Sequence, residues 1–338
     1  MIGIRVDVNQ VVATGHIKRD IAIALCLKEM GQECVFLSAD ENCLPYLEPY
    51  GFQSVILKSK WDDMEGEIEA LKAAIENYGI DSLLVDSYMV TENYMRQLIP
   101  HTTVTYFDEL GRFGYGCQQL INGVLVPPDY SGAPGKALLG PGYVSLRQEF
   151  SQLPAKTIRP RIEKLLITSG GTDNYHFCTK FLDFFLKQQK WMQVKVIVAV
   201  GELSADIDKL KQLYENDERV ELHINTSHMA QLMQDADYAV TAGGTTLYEI
   251  CAAGVSASCY VIGDNQLDIA RTFHDKGLVS FAGDFRKNPE KTLQQILIQV
   301  EQAKPEKVRR EKSTVLQRLV DGKGAQRIAE ALVDAMNS

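Results

Sequence analysis

The chain has 338 residues, of which 45% are hydrophobic, and carries a formal net charge of -9 at pH 7. This length favours two domains, and the acidic balance argues against a broad nucleic-acid surface, which needs a basic face. Seven cysteines without a C-x-x-C pair indicate neither a disulfide framework nor a zinc site. No apolar run approaches the roughly 18 residues of a membrane helix, so we expect a cytoplasmic protein without membrane insertion. We expect no bound metal either.

The first half of the chain alternates strand and helix patterns. Residues 2–8 form a short apolar run that contains Arg5 and Asp7, and apolar residues from Ile17 onward recur at helical spacing. Further strands are predicted at 34–38, 54–57, 81–88 and 103–107, with helices at 42–49 and 64–78. This alternation is typical of a parallel sheet that is covered on both faces.

Polar residues follow several of these strands at their carboxyl ends. Asp7, Asp86 and Asp108 each end or follow a strand, and His16 lies in the turn before the first helix. Because parallel strands bring their carboxyl ends to one edge, these side chains can converge there. Histidine accepts a proton near neutral pH. His16 is therefore a candidate base, although its position is equally compatible with capping or packing.

The segment at 127–160 holds six of the eleven prolines, with glycines between them. Such a composition predicts neither regular helix nor sheet, so it indicates a linker. We divide the chain into an N-terminal Rossmann-like domain at 1–155 and a C-terminal Rossmann-like domain at 156–338. The expected α/β architecture has the two domains facing each other across a cleft, with the last helices packing back on the first domain.

The second half repeats the alternation, with strands predicted at 163–168, 194–200, 220–223, 237–240 and 256–262. Helices are predicted after residue 174, at 204–214 and 229–233, after the turn at 243–246 as far as 253, and from 265, followed by two closing helices at 305–319 and 325–336. Glycine-rich turns follow two of its strands, at 170–172 and 243–246. Glycine lets backbone N–H groups approach an anion, and a helix start adds partial positive charge. Neither turn has the Walker A spacing and no G-x-G-x-x-G occurs, which argues against nucleotide hydrolysis by a P-loop and against dinucleotide redox chemistry. Each turn alone is equally compatible with a plain tight turn.

Glu249 lies five residues after Gly244, about one turn into the next helix. A carboxylate there can accept hydrogen bonds from two ribose hydroxyls, or it can simply complement the helix dipole. The strand-end carboxylates also leave open an acid and base pair of the glycosidase kind.

These residues together resemble the nucleotide-sugar hydrolases of the pseudaminic acid pathway, which release UDP from a UDP-2,4-diacetamido-2,4,6-trideoxy sugar. The matching positions run in order through nearly the whole chain: Arg5, Asp7, Gly15, His16, Arg19, Asp86, Ser87, Tyr88, Asp108, Glu109, Gly140, Pro141, Tyr143, Leu146, Arg147, Glu149, Phe150, Gly170, Gly171, Thr172, Asp173, Gly243, Thr245, Glu249, Asn265, Gln266, Asp321, Gly322, Gly324, Ala325 and Arg327. Two positions depart from the family pattern, since Ala13 replaces the first loop glycine and Asp20 stands where cysteine is usual. The family is similar in turn to the glycosyltransferase that attaches N-acetylglucosamine to lipid I, with the GT-B fold, and to spore coat polysaccharide proteins.

The resemblance implies that His16 activates water, and we expect Asp7 or Asp86 to orient it. The candidate substrate-binding residues are Gly15, Arg19, Tyr88, Asp108, Tyr143 and Arg147. The resemblance also implies that the second domain holds UDP, for which the candidates are Gly170, Gly171, Thr172, Gly243, Gly244, Thr245, Thr246, Glu249, Asn265 and Gln266. No cofactor is expected, because a diphosphate is already a stable leaving group.

Direct attack of water on the anomeric carbon predicts inversion at that centre. Three other functions fit the same residues. A GT-B glycosyltransferase would use the same base on an acceptor hydroxyl, a silent subunit would bind the sugar nucleotide without turnover, and an epimerase is a minor third possibility.

Overall fold

The computed structural model describes residues 1–9, 11–12, 14–112, 116–133, 135–171, 173–201 and 204–337. The chain divides into two compact units. Unit 1 comprises Met1–Ser151 together with Gly322–Ser338, and unit 2 comprises Gln152–Asp321. The last segment of the chain therefore belongs to the same unit as the first.

Unit 1 is built on a parallel sheet. Its strands are Ile2–Val6 (β1), Cys34–Ser38 (β2), Gln53–Ile56 (β3), Ser82–Asp86 (β4), Thr103–Phe107 (β5), Gln119–Asn122 (β6) and Lys136–Leu139 (β7). Among the described residues their order is β3-β2-β1-β4-β5-β6-β7. Every residue of β1 and β4 is buried, as expected for central strands that helices cover on both sides.

The helices of unit 1 lie on both faces of this sheet. Those before residue 152 are Gly15–Glu29 (α1), Leu44–Leu47 (α2), Ile68–Tyr78 (α3) and Glu92–Leu98 (α4). Ile4 of β1 packs in one hydrophobic cluster with Ile21 of α1. Leu83 of β4 packs in another with Leu71 of α3 and Leu98 of α4. Alternate strand residues point to opposite faces, so two separate cores sandwich the sheet.

Unit 2 repeats the plan with six strands among the described residues. They are Lys164–Thr168 (β8), Lys195–Val200 (β9), Val220–Ile224 (β10), Tyr238–Ala242 (β11), Ala257–Val261 (β12) and Ser280–Asp284 (β13). Their order is β10-β9-β8-β11-β12-β13, all parallel. The helices are Phe177–Phe185 (α5), Ile207–Tyr214 (α6), Met229–Asp235 (α7), Thr246–Ala253 (α8), Leu267–Asp275 (α9), Pro289–Gln302 (α10) and Glu306–Leu319 (α11).

The core of unit 2 is rich in aromatic side chains. The rings of Phe177 and Tyr260 stack with centroids 3.6 Å apart, and Phe285 meets Phe177 edge-on at 5.0 Å. These contacts hold α5 against β12 and the end of β13. The start of α5 is thereby fixed at the carboxyl edge of the sheet.

The final helix, Gly324–Met336 (α12), belongs to unit 1. Its apolar residues Ile328, Ala329 and Leu332 share a hydrophobic cluster with Ile17 and Ile21 of α1. The carbonyl of Val144 would lie 2.0 Å from a Cβ at residue 324, so only glycine permits this close approach. The helix that closes the chain therefore supports the helix that begins beside His16.

The class predicted from the sequence, two parallel α/β units, is confirmed. The prediction that 127–160 contains no regular structure was wrong, because β7 lies within it as an edge strand paired with β6. Four other elements were absent from the sequence prediction: α4, β6, β13 and α10. β6 and β7 have four residues each, too few for their alternation to stand out from a loop.

Candidate active site

The strand order of unit 1 reverses between β1 and β4, which lie side by side with Val6 opposite Asp86. The chain proceeds from β1 to β2 and β3 on one side, and from β4 to β5, β6 and β7 on the other. A crevice opens outside the carboxyl ends of the strands at such a point, and ligands of open α/β sheets bind there. α1 begins at Gly15 on this edge, where an added side chain would meet no described atom within 4 Å.

His16 and Asp86 are in direct contact at this reversal. Nδ1 of His16 lies 2.6 Å from Oδ1 of Asp86. Both side chains are buried, with His16 only 4% exposed, and the edge of its ring meets Tyr88 at 4.6 Å between centroids. Among the described residues none forms a hydrogen bond with Nε2. With Nδ1–H donated to Asp86, the lone pair of the neutral imidazole is on Nε2.

Arg19 clamps the same carboxylate from one helical turn further along α1. Its Nε donates to Oδ2 of Asp86 at 2.6 Å and its Nη2 to Oδ1 at 2.5 Å, while the guanidinium lies 4.2 Å over the Phe107 ring. Burial favours a raised pKa for Asp86, but the charge of Arg19 and the contacts with His16 outweigh it and lower that pKa well below its usual range. Asp86 is therefore an ionised, fully engaged anchor for His16.

Glu109 completes the cluster. It accepts from Nη1 of Arg19 at 2.7 Å and from the hydroxyl of Tyr88 at 2.8 Å. Burial and the neighbouring carboxylate raise the pKa of Tyr88, so its hydroxyl remains a donor. Glu109 was matched to the family in the sequence but was not among the candidate substrate-binding residues, because the strand end gave no reason to prefer it to its neighbour.

Asp108, the candidate next to Glu109, is fully buried. Its Oδ1 accepts the backbone N–H of Arg112 at 2.8 Å, and its backbone oxygen accepts hydrogen bonds from Asn122 and Tyr130. This carboxylate stabilises the turn after β5. The residue that contacts the His16 cluster is Glu109.

Asp7 is the other candidate to orient His16, and its carboxylate lies in a different contact network. Its Oδ2 pairs with Nη1 of Arg5 at 2.7 Å, and its Oδ1 accepts the backbone N–H of Ala39 at 2.8 Å. Arg5 also forms two 2.6 Å hydrogen bonds with Glu67, which accepts from Tyr94 as well. The charge of Arg5 draws Asp7 into this buried network, and the contact with His16 is made by Asp86.

The segment with Tyr143 and Arg147 runs beside the first turn of α1. Ser145 donates to the backbone oxygen of Arg19 at 2.8 Å. Tyr143 is partly buried against the core that contains α1 and α12. Arg147 pairs with Glu149 at 2.9 Å and lies 5.5 Å over the Phe150 ring, so these two candidates support the segment that flanks the cluster.

Unit 2 has its own reversal, between β8 and β11, where Thr168 lies opposite Thr241. Both predicted glycine-rich turns leave the sheet at this point, one from each strand. The residues of the first turn that the structure describes are Gly170, whose φ of +83° requires glycine, and Gly171. Thr172 and Ala13 lie outside the described residues.

The backbone N–H groups at the start of α5, which follows the first turn, already have an acceptor. Asp173 is fully buried, and its two oxygens accept the backbone N–H groups of Phe177 and Cys178, each at 2.8 Å. This carboxylate satisfies donors that a phosphate would otherwise meet. The start of α5 is therefore closed by its own side chain.

The helix start after the second turn is open. Thr245 precedes α8 and makes no capping hydrogen bond with its side chain, and no described atom lies within 4 Å of a Cβ placed on Gly244. Gly243, by contrast, has no such space, because a Cβ placed on it would lie 2.9 Å from the Cβ of Ala270. Thr246 begins α8, and Glu249 lies partly buried in its first turn. Of the two helix starts, that of α8 has no side-chain cap, although the N–H groups of Leu247 and Tyr248 donate to the backbone oxygens of Gly244 and Thr245.

The last two nucleotide candidates lie in the loop after β12. Asn265 is exposed. Gln266 uses its Oε1 to accept the backbone N–H of Ile262 at 2.9 Å, which leaves its amide group as a donor. Gln266 also has its backbone oxygen 3.3 Å from the Cβ position of Gly243, so this loop lies against the open helix start.

His176 is a residue that no sequence motif singles out. It precedes α5 with a left-handed φ of +57°, and its Nδ1 lies 2.7 Å from Oδ1 of Asp206. Thr179 donates to the other oxygen of Asp206 at 2.7 Å. Only the fold brings these residues together, because Asp206 is thirty positions away and no spacing pattern links them.

In the described part of the chain, no three or more His, Cys, Asp or Glu side chains are grouped to hold a metal ion. Among the described helices, none has the length and apolar character needed to cross a bilayer.

No protein-family model matches the chain. It is 24% identical to the spore coat polysaccharide biosynthesis protein SpsG of Bacillus subtilis, over 98% of both chains. It is also 24% identical to the UDP-2,4-diacetamido-2,4,6-trideoxy-beta-L-altropyranose hydrolase of Campylobacter jejuni, over 81% of this chain and 96% of that protein. An uncharacterized protein of Methanocaldococcus jannaschii is 22% identical over 75% of this chain, which spans only 54% of that relative's length.

Solved structures agree in fold. MurG of Acinetobacter baumannii superposes with a TM-score of 0.69 at 13% identity, over 98% of this chain and 99% of that one. The kitacinnamycin glycosyltransferase superposes with a TM-score of 0.70 at 15% identity, over 99% and 98% of the two chains. The GT-B fold predicted from the sequence is confirmed, and the predicted similarity to the altropyranose hydrolase and to spore coat polysaccharide proteins is confirmed as well.

Proposed function

We propose that this chain is a sugar-nucleotide enzyme of polysaccharide biosynthesis that hydrolyses a UDP-sugar to UDP and the free sugar. The observation that carries the proposal is the pairing of His16 with Asp86 at the strand-order reversal of unit 1, with Nε2 left as a base. The name of the Campylobacter relative supports a 2,4-diacetamido-trideoxy sugar or a related one, as used in nonulosonic acid biosynthesis. The name of SpsG supports surface polysaccharide biosynthesis.

The chemistry follows from the protonation of His16. Asp86 accepts the Nδ1 proton, so Nε2 takes a proton from water as the water oxygen attacks the anomeric carbon. The bond from that carbon to the diphosphate oxygen breaks, and its electron pair leaves with UDP. A diphosphate is a stable anion, so one base suffices where a glycosidase needs two carboxyl groups. Attack from the face opposite the leaving group inverts the anomeric configuration.

The nucleotide has its own set of groups in unit 2. The start of α8, which has no side-chain cap, offers the positive end of the helix dipole to the diphosphate. Glu249, in the first turn of that helix, is suited to accept hydrogen bonds from the ribose hydroxyls. Asp173 already accepts the N–H groups at the start of α5. Gly170 and Gly171 therefore make room for the nucleotide and do not stabilise its charge.

A glycosyltransferase is the second candidate, and one feature of unit 1 favours it. Exposed apolar side chains follow β1, β4 and β5 at the same edge as His16: Val11, Tyr88, Met89 and Leu110. Such residues fit an acceptor with apolar surface. The same base would then deprotonate an acceptor hydroxyl instead of water. MurG and the kitacinnamycin enzyme, both similar in fold, are consistent with this alternative.

The decisive experiment incubates the chain with a panel of UDP-sugars and no acceptor. Stoichiometric UDP release, with oxygen from isotopically labelled water at the anomeric carbon and an inverted first product by NMR, supports hydrolysis. UDP release only after addition of an acceptor supports the transferase. Calorimetric binding of UDP with no turnover under either condition supports a silent subunit and rejects both reactions.

A further inference from the structure

Asp20 is a buried carboxyl group in the same cluster. It lies one helical turn after His16 on α1 and is 0% exposed. Neither of its oxygens accepts a hydrogen bond from any residue that the structure describes. An ionised carboxylate that is buried without a hydrogen-bond donor is strongly unfavourable, so the burial of this side chain requires another explanation.

The explanation is its contact with Asp86. The side chain of Asp20 interacts with that of Asp86, and a hydrogen bond between two carboxyl groups requires one proton. Asp86 is held by Arg19 and His16, both of which need its charge. The proton therefore lies on Asp20. Burial and the charge of Asp86 raise the pKa of Asp20 well above its usual value, against the opposing charge of Arg19.

We propose that Asp20 is a positioning residue whose neutral carboxylic acid donates a hydrogen bond to Asp86 and thereby weakens the hold of Asp86 on the Nδ1 proton of His16. This inference rests on the proposed role of His16 as the base. The titratable and charged groups that face the Asp20–Asp86 pair are His16 and Arg19 from α1, Tyr88 after β4 and Glu109 from the turn after β5. Without Asp20, the carboxylates of Asp86 and Glu109 and the guanidinium of Arg19 would set the proton affinity of the His16 imidazole.

The sign of the effect separates this role from its alternatives. Leucine at position 20 removes the donor, so Asp86 stabilises the imidazolium more strongly and the titration midpoint of His16 moves up. Asparagine keeps an N–H donor for Asp86 and leaves the midpoint in place. If Asp20 were instead ionised, Asp20→Asn would remove a negative charge beside His16 and move the midpoint down.

The experiment follows the ring signals of His16 by NMR in the full chain, assigned by their loss in His16→Asn. We expect Asp20→Leu to raise the midpoint by about half a pH unit or more and Asp20→Asn to change it by less than about 0.2 unit. The acidic limb of the pH profile for UDP release should move with the midpoint. Asp81→Asn is the matched control, because it neutralises an exposed carboxyl one residue before β4, at the opposite end of that strand, and should shift neither.

Two results would overturn the proposal: a downward shift in Asp20→Asn, or no shift in Asp20→Leu. If Asp20→Leu does not fold, infrared spectroscopy decides, since the carbonyl band of a protonated acid should be present at neutral pH and lost in Asp20→Asn. The NMR titration needs no turnover. A chain that hydrolyses no UDP-sugar yet shows the expected shifts rejects the proposed function and keeps the role of Asp20.

Discussion

Nδ1 of His16 lies 2.6 Å from Oδ1 of Asp86, and this contact decides which ring nitrogen is available for chemistry. The two residues are seventy positions apart in the sequence and meet because β1 and β4 are neighbours in the sheet. The carboxylate fixes both the orientation of the ring and its tautomer. The reactive atom of the candidate site is therefore Nε2.

Replacing His16 by asparagine should remove the base and leave the nucleotide site intact. We expect UDP release to fall by about 100-fold or more, with UDP affinity unchanged by calorimetry. Turnover close to that of the unmodified chain, in a variant with normal thermal unfolding, would contradict the role of His16.

Asp86→Asn and Asp7→Asn form a matched pair at the ends of adjacent strands. Asp86→Asn should reduce turnover by about 100-fold, because the amide no longer fixes the Nδ1–H tautomer. Asp7→Asn should lower the melting temperature, since it weakens a buried ion pair with Arg5, while the folded fraction keeps turnover within about threefold. Equal losses of turnover in the two variants would mean that the structure does not separate their roles.

A side chain at residue 244 should block the diphosphate without disturbing the fold. Space for a Cβ is open there, so Gly244→Val should reduce UDP affinity by about tenfold or more at unchanged melting temperature. Gly171→Val is the control, because the helix start beside it is already capped by Asp173. A larger loss of affinity for Gly171→Val would assign the diphosphate to the first turn instead.

The buried network under β1 should be important for stability. Arg5→Met leaves the carboxylates of Glu67 and Asp7 without their cation, and we expect it to lower the free energy of unfolding by about 3–5 kcal/mol in urea. Arg96→Met removes an exposed ion pair with Glu92 and should cost a small fraction of that amount. Similar losses for the two variants would show that the network contributes no more than a surface pair.

Lys156 provides a test of pH dependence. Its ammonium group is buried and donates to the backbone oxygens of Met233, Gln234 and Ala236 at the end of α7. Burial lowers the pKa of Lys156 to about 8, whereas lysine in an unfolded chain titrates near 10.4. Between these values the unfolded chain binds more protons, so this group makes stability rise with pH.

The comparison variant is Lys156→Met, which keeps the length of the side chain. From pH 7 to pH 10 the free energy of unfolding of the unmodified chain should rise relative to that of the variant, by roughly 3 kcal/mol at most. A relative fall over this range would contradict the expected sign.

The sequence allowed the candidate base and its edge of the sheet to be predicted, because His16 and Asp86 sit where strand patterns end. It did not allow Asp7 and Asp86 to be distinguished, since both follow buried strands. What separates them is the burial of Glu67, which attracts Arg5 and with it Asp7. Glu67 lies in a charged stretch whose pattern favours a solvated helix face, and only packing shows that it is buried.

The central strands β1 and β4 were predictable from the sequence, whereas β6, β7 and β13 were not. β1 and β4 are buried at every residue and each contains several large apolar side chains. β7 has four residues with Lys136 exposed and lies among prolines. Pairing with β6 determines its structure, and that pairing joins residues about seventeen positions apart. The β-propensity of a short segment does not indicate which distant strand it pairs with.

The return of α12 to unit 1 has a consequence for how the chain is made. Because residues 152–321 separate the two parts of unit 1, a ribosome has already produced the whole of unit 2 before the helix that covers α1 exists. During that interval the apolar face formed by Ile17 and Ile21 is not covered by α12, because Ile328 and Leu332 have not yet been synthesised. The unit whose synthesis begins first is thus the one completed last. Shortening the chain from its C-terminus would expose the helix that carries the candidate base before it removed any residue of unit 2.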